Sequence, residues 1–291
     1  MRIWPQCIPC IIDARTREII RSELGREEKI EAELELIRLM LKEVHSQVST
    51  IRIASEGFRL VKRIIKDPDP YKEYKEASNR LALKMLPKVR KRLRGLEGYE
   101  RFRTLALICV NANLLDPGAP PFTYEVKNLG DTLFEGSFVL DQTKEIYEAL
   151  MKARRIAFLL DNAGEAIFDK LLVKEISDMG IEVIVMAKSG AYQNDVTYEE
   201  AKALGFEEVA TRLVGMGSDY AGPLPEALSP EAKRILDDAD LIVAKGMANY
   251  EAFLYSPPRR PVAHLLKAKC IPIASSLGVR VRDNVAVLKH H

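Results

Sequence analysis

The stretch IAFLLDNAGEAIF, residues 156–168, decides the fold. It begins with five consecutive apolar residues, which is the pattern of a strand buried on both faces, as in a parallel sheet. Asp161 and Asn162 follow directly, and Gly164 then leads into a helical segment. Because open α/β sheets bind ligands beyond the carboxyl ends of their strands, Asp161 and Asn162 are candidates for a functional site.

Strand and helix patterns alternate from this stretch to the end of the chain. Strands are predicted over 155–160, 182–187, 240–244 and 270–274 and near 284–288, and helices over 164–178, 229–238 and 258–268 and near 196–204. Such alternation predicts an α/β fold with a mostly parallel sheet, right-handed crossovers and helices on both faces.

The first third of the chain has a helical pattern. One long helical segment places a stripe of apolar residues on one face, namely Ile30, Leu34, Ile37, Leu41 and Val44. We therefore predict a helical bundle domain over 1–98 and an α/β domain over 99–291. The stretch 117–139 within the second domain is rich in Gly, Pro and aromatic residues, and we predict that it forms a loop or lid.

Composition limits the classes of protein and partner. The chain has 291 residues, 47% of them hydrophobic, and a formal net charge of +2, so neither nucleic acid nor a membrane surface is predicted as a partner. No apolar stretch reaches membrane-spanning length, and four cysteines are too few for a disulfide scaffold of this size. We expect a cytoplasmic globular protein, and the sequence leaves its oligomeric state open.

Polar side chains follow three of the predicted strands. They are Asp161, Asn162 and Glu165 after the first strand, Lys188, Ser189, Asn194 and Asp195 after the second, and Lys245, Gly246 and Asn249 after the third. Because the carboxyl ends of parallel strands share one edge of a sheet, we expect these residues to meet in one crevice. Each of these residues alone is more typical of a helix cap or a solvated loop than of a functional site, so the prediction depends on their occurrence together at three strand ends.

The residue types in this crevice favour phosphate chemistry. Asp161, Asn162 and Asp195 offer hard oxygen ligands, which suit Mg²⁺ or Mn²⁺. Lys188 and Lys245 would supply positive charge to a phosphate, and the amides at the start of the following helix would add donors. This combination predicts a phosphoryl-transfer or phosphate-hydrolysing site, with Asp161 and Lys245 as catalytic residues. Both a water molecule and Asp161 are candidates for the nucleophile.

Several motifs occur in an order that resembles a known family. They are CIPC at 7–10, DPYKEYKEASN at 69–79, NANLLDPG at 111–118, LLDNAGE at 159–165, AKSGAYQND at 187–195, GMGSDYAG at 215–222 and LIVAKGMANYEA at 241–252. Together they resemble the metal-dependent damage-control phosphatases, first catalogued as domain of unknown function eighty-nine. The Cys-x-x-Cys start resembles the prokaryotic subfamily.

The resemblance implies a Rossmann-like domain with an attached helical domain. It also implies a phosphatase that needs a divalent ion, whether Mn²⁺, Co²⁺, Ni²⁺ or Mg²⁺, and that acts on small phosphate esters such as sugar phosphates or damaged phosphometabolites. By this resemblance the metal ligands are Asp161, Asn162 and Asp195, and the substrate contacts are Glu165 and the segment 245–249. The KGMAN sequence of that segment differs from other subfamilies, so their substrate preference does not transfer.

Other interpretations compete with this one. An S-adenosylmethionine-dependent methyltransferase would share the sheet pattern, although Lys188 stands where an acidic residue would bind the ribose. A non-catalytic module that binds a metal or nucleotide is the third hypothesis.

Cys7 and Cys10 have the spacing of a second metal site or redox pair, and a buried structural role is equally open. Asn113 and Asp116 either reach the crevice or cap a turn.

Overall fold

A mixed α/β fold is built around one sheet of seven strands in the computed structural model, which describes residues 1–113 and 132–290. The strands are β1 Phe138–Asp141, β2 Arg155–Leu159, β3 Glu182–Ala187, β4 Arg212–Gly215, β5 Leu241–Lys245, β6 Val262–Lys267 and β7 Asn284–Lys289. Their order is β1-β7-β6-β5-β2-β3-β4, and every neighbouring pair is parallel except β6 and β7. The predicted fold class is confirmed.

Helices form the N-terminal part and the crossovers of the sheet. They are α1 Cys7–Arg21, α2 Arg26–Glu43, α3 Thr50–Ile65, α4 Lys72–Leu93, α5 Gly98–Ala112, α6 Thr143–Lys152, α7 Glu165–Asp178, α8 Tyr198–Ala203, α9 Pro230–Asp238, α10 Gly246–Tyr255 and α11 Ile271–Leu277. Helices α4 and α5 pack against α7, which follows the interior strand β2. The residues of β2 from Ile156 to Leu159 are all buried, which explains why this run is apolar without alternation.

Two predicted elements near the C-terminus are wrong. The segment 258–268 contains β6 instead of a helix, and 270–274 lies in α11 instead of a strand. Every residue of β6 is buried, so its apolar run resembles that of a buried helix. Pro272 lies in the first turn of α11, where a helix tolerates a missing amide hydrogen.

Five elements escaped prediction, namely the strands β1 and β4 and the helices α5, α6 and α10. Strands β1 and β4 contain four residues each and form the two edges of the sheet, where burial is incomplete. Helix α6 contains ten residues and directly precedes β2. Most of the predicted loop at 117–139 lies outside the described residues, and its described end contains the start of β1.

Helices α1, α2 and α3 pack against one another around their own apolar cluster. The buried face of α2 consists of Ala32, Leu36 and Met40. The predicted division of the chain at residue 98 stays a prediction. No helix in the described ranges combines the length and the apolar composition that crossing a membrane requires.

Candidate metal and phosphate site

The loops that follow β2 and β3 are hydrogen-bonded to each other at the carboxyl edge of the sheet. The amide of Val196 donates to the carbonyl of Asp161 at 2.9 Å, and the amide of Ala163 donates to the carbonyl of Asn194 at 2.9 Å. Asn162 and Asp195 face each other in an antiparallel bridge. The two loops therefore bring together Asp161, Asn162 and Asp195, which are distant in sequence.

The carboxylate of Asp161 lies against the turn between β5 and α10. Gly246 in this turn has a φ of +74°, in the left-handed region that favours glycine. A Cβ atom added at Gly246 would overlap the carboxylate of Asp161. The third strand end can therefore approach the site only because residue 246 is a glycine.

Two asparagine side chains donate hydrogen bonds to the carboxylates of the site. Nδ2 of Asn162 donates to Oδ2 of Asp161 at 2.7 Å and to Oε2 of Glu165 at 3.2 Å. Nδ2 of Asn113 donates to the same two oxygens, at 2.9 Å and 2.5 Å. Asn113 thus reaches the crevice, whereas Asp116 lies outside the described residues. With its Nδ2 used in this way, Asn162 keeps Oδ1 as an oxygen ligand for a cation.

The buried charges of the site have an acidic surplus. Four carboxylates are buried here, those of Asp161, Glu165, Asp169 and Asp195, together with the two lysines Lys188 and Lys245. Burial raises the pKa of Asp161 well above its usual value, and the neighbouring Asp195 and Glu165 raise it further. A divalent cation between Asp161 and Asp195 would offset this surplus, so the residues present fit such an ion.

The described residues contain no group of three or more His, Cys, Asp or Glu side chains arranged to hold a metal ion. The predicted ligands Asp161, Asn162 and Asp195 fall outside this definition, because Asn162 would bind a cation through an amide oxygen. Two carboxylates and one amide leave positions for water and substrate around a hard cation.

Both predicted lysines pair with carboxylates. Nζ of Lys188 lies 2.5 Å from Oδ2 of Asp195. Nζ of Lys245 contacts Oε1 of Glu165 and lies 2.8 Å from Oδ1 of Asp169. Burial alone would lower the pKa of Lys245, but Asp169 and Glu165 raise it overall, so this lysine stays charged.

A cavity of about 160 Å³ opens beside the three predicted ligands. Besides those ligands, its polar lining consists of Cys10, Arg15, Thr50, Asn113, Gln193, Asn194, Glu251 and Lys269, together with the ring of Tyr192. Helices α1 and α3 thus form one wall of the cavity, and the strand ends form the other. A space of this size suits a small ligand.

The predicted substrate contacts divide into two groups. Asn194 lines the cavity. Glu165, Lys188, Gly246 and Asn249 are buried and are not part of the cavity lining. Nδ2 of Asn249 donates to the carbonyls of Leu160 and Lys245, which ties β2 to the start of α10.

Ser189 lies in a neighbouring depression that also contains Thr197 and Gly215. Its Oγ accepts a hydrogen bond of 2.7 Å from the amide of Gly217. Ser189 therefore orders the loops beyond β3 and β4 and does not line the cavity.

Two cationic residues of the cavity were missed by the sequence reasoning. Lys269 follows β6, which was predicted as a helix, so its position at a strand end was hidden. Arg15 is buried in α1, where it donates to the carbonyl of Ala54 and to Oε1 of Glu18, both at 2.9 Å. The position of Arg15 among apolar residues on one face of a predicted helix could have indicated its role, because a buried charge needs polar or charged partners.

The cysteine pair lies at the start of α1, and Cys10 lines the cavity. All four cysteines are free thiols. The pKa of Cys270 is raised to about 12, mainly by burial and to a smaller extent by the neighbouring Glu251, Cys7 and Cys10. A third thiol therefore lies near the pair, and the role of the pair as a second metal site or structural element stays a prediction.

Comparisons with known proteins identify the family of the chain. The family model described as the damage-control phosphatase ARMT1-like domain matches residues 3–285. An uncharacterised protein of Methanocaldococcus jannaschii is 33% identical, over 98% of this chain and 95% of the relative. A damage-control phosphatase of Archaeoglobus fulgidus is 30% identical, over 98% and 99%. A crystal structure of a family protein from Pyrococcus horikoshii superposes with a TM-score of 0.88 at 25% identity, covering 99% of both chains.

Proposed function

We propose that this chain, which belongs to the damage-control phosphatase ARMT1-like family, is a divalent-metal-dependent phosphomonoesterase that acts on small phosphate esters. Family membership itself supports a phosphatase role. The metal dependence is supported by one observation above all. Asp161, Asn162 and Asp195 converge beside a cavity, in surroundings where buried carboxylates outnumber buried lysines.

In this proposal Asp161, Asn162 and Asp195 hold the ion. An ion such as Mn²⁺, Co²⁺, Ni²⁺ or Mg²⁺ would polarise the phosphoryl group of the substrate and offset charge on its oxygens. Asn113 orients Asp161 through its hydrogen bond to Oδ2, and Lys188 orients Asp195 through their ion pair. Each of the two carboxylates is thus held by a hydrogen-bonding or charged partner, and such partners fix the orientation of metal ligands.

The cavity would bind the substrate through its cations and amides. Lys269 and Arg15 supply positive charge for the phosphate oxygens, while Gln193 and Asn194 offer amide groups to the remainder of the ester. Lys245 is a positioning residue, because it contacts Glu165 behind the cavity rather than the cavity itself. The small volume favours compact esters such as sugar phosphates.

Removal of metal is expected to abolish phosphate release. The test uses metal-stripped protein, p-nitrophenyl phosphate and a panel of sugar phosphates, with each divalent ion restored separately. Activity is expected only with an ion present, because the paired carboxylates otherwise repel the phosphate. An Asp178→Asn variant is the control and is expected to keep metal-dependent activity, since Asp178 is exposed and pairs with Lys174 on α7.

Two results would contradict the proposal. Full activity in the presence of a strong chelator would exclude the metal dependence. Absence of phosphate release with every ion, together with calorimetric binding of S-adenosylmethionine, would favour a methyltransferase instead.

The affinity for substrate is expected to depend on the ionisation of Glu251. This residue lines the cavity, and within the described part of the chain its Oε2 is buried without a hydrogen-bond partner. Burial raises the pKa of Glu251 to about 7, so the side chain is neutral below that pH and negative above it. A negative Glu251 would repel the phosphate, and we expect KM to rise several-fold between about pH 6 and pH 8.5.

Glu251→Gln is expected to remove most of this rise in KM. The ionisation of the substrate is the same for both proteins, so the ratio of their KM values isolates the side chain. Equal pH profiles for the two proteins would contradict the assignment. The raised pKa of Glu251 also predicts how the free energy of unfolding depends on pH. The contribution of Glu251 to this free energy is fully present below the pKa that the residue has in the unfolded chain, and it is lost as the pH rises through about 7.

A further inference from the structure

The outer face of α2 carries a stripe of exposed apolar side chains. Ile30, Leu34, Ile37 and Leu41 are 48%, 40%, 43% and 80% exposed, although the sequence predicted that they face the bundle. The patch extends to the end of α1, because Ile20 is 56% exposed and its carbonyl accepts a hydrogen bond from Lys29. A contiguous apolar patch of this kind marks an interaction surface more often than isolated apolar residues do.

The spacing of the stripe is that of a helix-pairing surface. Its members follow one another at intervals of four, three and four residues, which are the a and d positions of a heptad repeat. The face of α2 that packs on its own chain uses different residues, Ala32, Leu36 and Met40, at intervals of four. Helix α2 thus has two apolar stripes, and only one of them has a partner in the described residues.

The charges along α2 are distributed unevenly. The half from 26 to 36 contains five glutamates and two basic residues, whereas the half from 37 to 43 contains Arg38, Lys42 and one glutamate. In an antiparallel pair of α2 helices, the acidic half of each copy would lie along the basic half of the other. A parallel pair would place the acidic halves together, which is unfavourable.

We propose that α2 is the interface of a two-fold symmetric homodimer, in which the stripes of two copies pack antiparallel with Ile37 at the axis. Such an interface is self-complementary, because the same surface serves both copies. No residue of α2 lines the cavity, so the dimer leaves the proposed active site open. The interface therefore affects assembly without a direct effect on catalysis.

The first test measures the mass of the protein in solution by sedimentation equilibrium over a range of concentrations. Wild type is expected to be a dimer, and Leu34→Glu is expected to weaken the association at least ~100-fold, because each dimer would bury two new charges. Leu83→Glu is the matched control: Leu83 is 49% exposed on α4, away from the stripe, and its variant is expected to remain dimeric.

Three outcomes would overturn the proposal. One is a wild-type monomer at all concentrations, another is a Leu34→Glu protein that stays dimeric, and the third is a Leu83→Glu protein that becomes monomeric. Circular dichroism of each variant excludes unfolding as the cause of a lost dimer. Since both leucines are exposed, we expect the helical signal to be unchanged.

Disulfide trapping tests the orientation. Under mild oxidation Ile37→Cys is expected to form a covalent dimer, because residue 37 lies next to its own copy at the axis. Ile30→Cys is expected to give no more covalent dimer than wild type, whose exposed Cys10 sets the background. A covalent Ile30→Cys dimer in high yield would overturn the antiparallel arrangement.

Discussion

Asp161→Asn is expected to lower kcat/KM by about 10³-fold or more, which corresponds to about 4 kcal/mol of lost transition-state stabilisation. The substitution preserves the shape of the side chain but removes the charge that, with Asp195, would hold the ion. The substituted side chain keeps one oxygen that can accept from Asn113 and Asn162, but its second oxygen becomes an amide group that cannot bind a cation. Steady-state kinetics with saturating metal measures the effect.

Stability separates this loss of activity from misfolding. Burial and the neighbouring carboxylates raise the pKa of Asp161, so its contribution to the free energy of unfolding is present at low pH and is lost as the pH rises through that pKa. At pH values above it, the metal-free Asp161→Asn protein is therefore expected to be more stable than metal-free wild type. A variant that is both inactive and much less stable would contradict this prediction.

Lys245→Met is expected to lower the free energy of unfolding by about 3–5 kcal/mol, which is the usual cost of leaving buried charges without their partner. Lys245 is fully buried and pairs with both Glu165 and Asp169. Burial raises the pKa of Asp169 to about 7 even beside this lysine, so loss of the lysine would favour the protonated acid. Urea unfolding at several pH values measures the effect.

The loss of stability in Lys245→Met is expected to shrink as the pH falls, because protonation neutralises Asp169. Addition of Asp169→Asn should restore part of the stability. Lys174→Met is the control: it breaks an exposed pair with Asp178 and is expected to change stability by less than about 1 kcal/mol. Equal effects of the two lysine substitutions would contradict the assigned role of Lys245.

The central sheet and its polar edge were predictable because their sequence signals are local. The apolar run of β2 and the polar residues after β2 and β3 follow directly from the periodicity of the chain. Their convergence follows from parallel topology, which places strand ends at one edge. The predicted ligands Asp161, Asn162 and Asp195 therefore lie together in the structure.

The partners of individual side chains were not predictable in the same way. Periodicity placed Lys245 at the edge but did not show that Glu165 and Asp169, four residues apart on α7, both face it. The stripe on α2 shows the same limit, because two apolar faces occur on one helix and periodicity does not tell which is covered. Arg15 and Lys269 depend on tertiary contacts between distant elements.

The most direct test of the metal site is anomalous scattering from crystals grown with Mn²⁺. We predict one strong peak per chain, within about 2.0–2.3 Å of oxygen atoms of Asp161, Asn162 and Asp195. The peak should be absent from crystals of an Asp195→Ala variant grown in the same way. A peak at another position, such as the thiols of Cys7 and Cys10, with none at the strand ends, would contradict the account.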